Sequence, residues 1–77
     1  MKFELLECVV LERDLPEHGL RRRDLGTVVE TYEPDGLEVE FLTAAGQTIG
    51  VLTLTQDAVR KVSTDDILAA RPARSPA

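Results

Sequence analysis

The stretch Leu37-Glu38-Val39-Glu40-Phe41-Leu42 constrains this chain more than any other. Leu37, Val39 and Phe41 alternate with two glutamates, a period of two that suits an extended strand with one buried and one wet face. Turn chemistry flanks it on both sides. Before it stands Glu33-Pro34-Asp35-Gly36, where proline suits the second position of a tight turn and glycine accepts a positive φ. After it stands Ala44-Ala45-Gly46-Gln47, a second turn of the same kind. The neighbouring segments, Leu25 to Tyr32 and about Gln47 to Leu54, are rich in β-branched residues, and Gly50 marks a bend or bulge in the latter. Three strands joined by two hairpins follow.

Working outward, Glu7 to Glu12 carries a short apolar run bounded by charges and reads as a first strand. Arg13 to Asp24 contains Pro16 and Gly19 without usable periodicity, so it is expected to be a long surface loop anchored by Leu15 and Leu20. Thr55 or Gln56 opens a short helical turn, and Val59 and Val62 give a last brief strand. The fold class expected is all-β: an SH3-like small barrel of about five strands, with a short helical turn before the last strand. Residues 1–62 form this domain. Residues 63–77 form a tail in which Ser63 or Thr64 caps a short helix ending before Pro72, with disorder beyond Arg71. Ile67 and Leu68 are expected to dock on the barrel or on a neighbouring molecule.

At 77 residues only one compact domain fits, with a modest core. The net charge of -5 repels phosphate and argues against general nucleic-acid binding. One cysteine, Cys8, leaves no intrachain disulfide and fits a reducing compartment, so the expected location is the cytoplasm. Glu4 and Glu7 interrupt the N-terminal apolar run, and no stretch approaches the roughly 20 apolar residues of a membrane span.

The segments DLPEHGL, GTVVETY and LEVEFLTAAGQTIGVLTL together resemble a small bacterial family catalogued as a domain of unknown function with an SH3-like barrel. The likeness covers Leu6 to Val62 and rests on Leu15-Pro16-Glu17, Gly19-Leu20 and Gly26-Thr27-Val28-Val29-Glu30 at the family's spacing. Many members carry glycine where this chain has Arg23, which costs stability if the position needs a positive φ. More distantly the chain resembles ribosomal and transcription-factor barrels, and SH3-like domains of some oxidoreductase and nitrile-hydratase subunits. These likenesses imply a fold and an interaction role, and no activity.

Candidate chemistry is sparse. Arg21, Arg22 and Arg23, with Arg13, could meet a phosphate backbone or an acidic partner, although Asp14, Glu17 and Asp24 offer local balance and no aromatic stands nearby to stack a base. The interval from Gly19 to Gly26 lacks the Gly-Lys-Ser/Thr ending of a phosphate loop. His18 and Cys8 invite comparison with a catalytic pair, but Cys8 in an apolar strand reads as a buried, inert thiol and His18 as a solvated loop residue. Glu30, Glu38 and Glu40 could hold a hard cation and read more simply as a wet sheet face. Tyr32 is a candidate groove residue near the long loop, in a chain too poor in aromatics for proline-rich recognition.

The expectation is therefore a non-catalytic protein-interaction or accessory module without cofactor or metal. Arg13, Arg21, Arg22, Arg23 and Tyr32 are its candidate contacts. The partner is another protein or a second copy met through an exposed strand edge or the Ile67-Leu68 tail. A nucleic-acid-associated barrel is the alternative, and a small enzyme or metal protein is disfavoured.

Overall fold

A computed structural model describes residues 1–73. Five strands form one antiparallel sheet: β1 (Cys8–Leu11), β2 (Leu25–Tyr32), β3 (Gly36–Leu42), β4 (Thr48–Thr55) and β5 (Val59–Lys61), in the order β4-β3-β2-β1-β5. Short 3-10 turns occupy Pro16–His18 and Gln56–Ala58, the second directly before β5 as expected.

The alternation in β3 is realised in full. Leu37, Val39 and Phe41 are buried and Glu38 and Glu40 face outward. Val9, Leu11, Val28 and Val59 complete the inner face, joined by Leu20 from the loop and by Phe3, a core residue that the mixed N-terminal sequence does not signal. A flat five-stranded sheet would set its outer strands roughly 19 Å apart. Here Leu52 and Leu54 of β4 and Val59 of β5 pack on one cluster, so the sheet is curled into a small barrel-like shape.

Two irregularities assist the curl. Val28 pairs with Val39 and Glu30 with Glu38, which leaves Val29 as an extra residue in β2. Phe41 pairs with Gly50 and Leu42 with Thr48, which bulges Ile49 beside the glycine expected to mark such a site. Gly26 faces the core beneath the Val39 and Phe41 side chains of neighbouring β3, and a Cβ there would fall 2.5 Å from Val39 Cγ1 and 2.9 Å from Phe41 Cε1.

Several expectations are corrected. Gly36 does not take a positive φ: the turn is Glu33 to Asp35, with a cis Glu33-Pro34 bond, and Gly36 opens β3 opposite Tyr32 and Thr55. Its value there is close approach, since a Cβ would lie 3.1 Å from that of Tyr32. Gly46 does take the left-handed conformation, at φ 84. β5 ends at Lys61, so Val62 lies outside it. Cys8 is exposed, because the pleat that turns Val9 and Leu11 inward turns Cys8 outward. Val10 shares that outer side and is nevertheless buried, lining a cleft with Leu25 and the tail residues Asp65 to Ala69.

No helix forms between Ser63 and Ala73. Asp66 instead closes a turn: its amide donates to Ser63 O at 3.1 Å, and its carboxylate accepts the Ser63 amide at 2.6 Å. A helix this short has no apolar face to dock and cannot offset its own nucleation. Ile67 is 93% exposed and Leu68 68%, so neither is seated on the barrel. The disorder expected beyond Arg71 falls largely on residues 74–77, outside the described residues.

Candidate protein-docking surface

The arginine triplet sits on a connection tied down by its aspartates. Leu15 and Leu20 exchange backbone hydrogen bonds at 2.9 and 3.1 Å around the first 3-10 turn, which fixes the anchors expected of them. Asp14 Oδ1 accepts the Arg22 amide at 2.8 Å and Asp24 Oδ2 the Arg21 amide at 2.7 Å. The Arg23 amide donates to Leu11 O at 2.7 Å, and this contact holds Arg23 at φ 82, the positive φ that its departure from the family pattern anticipates. The side chains of Arg21, Arg22 and Arg23 are exposed.

Arg13 is drawn elsewhere, toward Asp57 in the second 3-10 turn at 3.7 Å. Tyr32, 47% exposed, lies at the far end of β2 from Arg23, beside the β2–β3 turn. It is therefore not the aromatic wall of a groove lined by the triplet. Of the five candidate contacts, only the three consecutive arginines share one site.

The tail is held over the outer side of the barrel by two forked ion pairs. Arg60 of β5 donates from Nη1 and Nη2 to the two Asp66 oxygens, each at 2.9 Å, and also approaches Glu12 at 3.5 Å. Arg71 donates from Nε to Asp24 Oδ1 at 2.9 Å, from Nη2 to Asp24 Oδ2, and from Nη2 to Gly19 O at 3.0 Å. The Arg60 guanidinium and the Ser63 amide hold the Asp66 carboxyl down at about 2. Burial pushes Asp24 upward, but the Arg71 guanidinium and the Arg21 amide outweigh it and leave that carboxyl below its ordinary value.

The remaining chemical candidates are dispersed. Glu38 accepts from Thr53 Oγ1 at 2.6 Å and Glu40 from Thr48 Oγ1 at 2.9 Å, so these carboxylates knit β3 to β4. Glu30 accepts the Thr31 amide. Among the described residues no group of three or more His, Cys, Asp or Glu side chains is placed to hold a metal ion. Cys8 starts β1, whereas His18 closes the first 3-10 turn 4.0 Å from Glu17.

The outer edge of β4 carries no sequence motif. Its eight residues, Thr-Ile-Gly-Val-Leu-Thr-Leu-Thr, contain no charge and no proline, in a chain that is 30% charged. One side is paired to β3 except at the Ile49 bulge, while the other is the end of the sheet. Ile49 and Val51 on this strand and Leu42 beside them are 37%, 45% and 48% exposed. The opposite edge, β5, has three residues, of which Arg60 and Lys61 are cationic. Short, charged edges resist strand addition, and long uncharged ones invite it.

The model of a family described as Domain of unknown function (DUF4926) matches residues 5–61, about three quarters of the chain. The chain belongs to this family. The matched span agrees with the resemblance read over Leu6 to Val62, and it contains all five strands of the DUF4926 domain. The tail with Asp66 and Arg71 lies beyond the match, and the β4 edge lies within it. No curated protein and no solved structure matches. Among the described residues no helix is long and apolar enough to cross a membrane.

Proposed function

We propose that this DUF4926 domain is a non-catalytic protein-interaction or accessory module of the bacterial cytoplasm, and that it engages its partner by strand addition at β4. The observation that carries this reading is the eight-residue uncharged edge with Ile49, Val51 and Leu42 exposed on and beside it. A partner strand there gains a backbone ladder for affinity and alternate side chains for specificity. Lysine is the natural blocker of such an edge, and at position 51 it would lie opposite Glu40 of its own chain, which favours the fold.

The test is affinity capture from the native lysate, with and without nuclease. It compares wild type with Val51→Lys and with the triple variant Arg21→Ala, Arg22→Ala, Arg23→Ala. Nuclease-resistant protein bound by wild type and by the triple variant, and lost with Val51→Lys, is expected. Equal recovery by wild type and Val51→Lys would refute docking at β4.

A second reading, a nucleic-acid-associated barrel, draws on the exposure of three consecutive arginines on one loop. It requires RNA capture that the triple variant loses, with each neutralised phosphate steepening the salt dependence by about one unit.

A further inference from the structure

Resting on that reading, we infer that the partner at β4 is a second copy of this chain, paired antiparallel about a two-fold axis to give one continuous ten-stranded sheet. A two-fold edge contact is isologous: the same strand supplies both sides, so every residue opposed across it comes from Thr48 to Thr55. Registers in which like faces meet oppose only threonine, valine, isoleucine, leucine and glycine, and a pairing centred on Leu52 sets Val51 against the partner's Thr53 on both halves.

Charge favours this match over a different surface of the same molecule. Two chains of net charge -5 repel, and the contact that raises the repulsion least is one with no ionised group on the opposed strands. The nearest carboxylates lie off the opposed strands and accept hydrogen bonds from their own β4: Glu38 and Glu40, one strand back, from Thr53 and Thr48, and Asp57, in the turn after β4, from Thr55. The contact also closes on itself, because each copy has one such edge and its other edge carries Arg60 and Lys61. A dimer, rather than an open fibre, is the product. A single strand pair is a small interface, below roughly 1,200 Å² in total, so the dimer is reversible and concentration-dependent.

Sedimentation velocity of the purified full chain, from micromolar to near-millimolar concentration, tests this with four proteins: wild type, Val51→Lys, Val51→Thr, and the double variant Ile67→Asp, Leu68→Asp. The expected result is a shift of wild type from 8.5 kDa toward twice that mass as concentration rises. Val51→Thr and the tail variant should shift likewise, whereas Val51→Lys should remain monomeric with an unchanged β-sheet circular dichroism spectrum. A monomeric wild type throughout, or an undiminished dimer in Val51→Lys, would overturn the inference, as would a dimer abolished only by the tail variant. A monomeric wild type whose lysate partners are still lost with Val51→Lys would overturn the second-copy assignment and leave strand addition by another protein standing.

Discussion

At the scale of single residues, two positions show how tightly backbone and core dictate the choice of side chain. Arg23 holds φ 82 with its side chain in solvent, a conformation that costs a non-glycine residue about 1 kcal/mol and returns nothing through packing. Arg23→Gly is therefore expected to raise the urea unfolding midpoint, by up to about 1 kcal/mol of stability, and a lower midpoint would show that the guanidinium has a stabilising contact. Gly26 is the reverse case. A methyl group there falls 2.5 Å from buried Val39, so Gly26→Ala should destabilise by about 1–3 kcal/mol through overpacking, measurable in the same titration. The first effect was legible in the sequence as a departure from a family pattern. The second was not, because Gly26 reads as an ordinary strand residue until the packing of the Val39 and Phe41 side chains against it is known. Cys8 failed for a similar reason: in Cys8-Val9-Val10-Leu11 all four residues suit burial, and only the pairing of Cys8 with Thr27 and Val9 with Gly26 decides which face each takes.

At the scale of elements, β2, β3 and β4 were legible because each combines strand residues with a turn signal, whereas the tail was not. Ser63-Thr64-Asp65-Asp66 has the composition of a helix start, but the segment's shape is set by Arg60 and Asp24, long-range partners that local propensity does not register. These pairs make the tail sensitive to acid. Asp66, held at about 2 against an ordinary 3.8, stabilises its attachment above the ordinary value and loses that contribution as pH falls through 2. Asp24, also lowered, acts in the same direction. Amide exchange in residues 63–73 should therefore be insensitive to pH-driven release near neutrality, and the tail should detach from β5 between about pH 4 and pH 2. Nuclear magnetic resonance shifts of Ser63 and Asp66 that stay constant across that range would refute it. Asp24→Ala should cost more than Arg71→Ala, because the carboxylate also accepts the Arg21 amide. Thermal melts of the two variants give the order, with about 1 kcal/mol expected for Arg71→Ala.

At the scale of the whole molecule, the curled sheet leaves two ends that differ in chemistry. β5 is short and cationic, and β4 is long, uncharged and flanked by exposed aliphatic side chains. The composition of Thr48 to Thr55 is plain in the sequence, but its position at the end of the sheet is not, since strand order follows from the pairing of β5 with β1 at the opposite end. The arginine triplet is plain in the sequence as a rare local run, whereas the β4 edge is notable for what its eight residues lack. The most direct test of the central claim is residue-resolved hydrogen exchange of wild type at low and high protein concentration. With copies paired at β4, amides of Thr48 to Thr55 should exchange more slowly as concentration rises while those of Val59 to Lys61 keep their rates. Exchange in β4 that is independent of concentration, with or without lysate partners present, would contradict it.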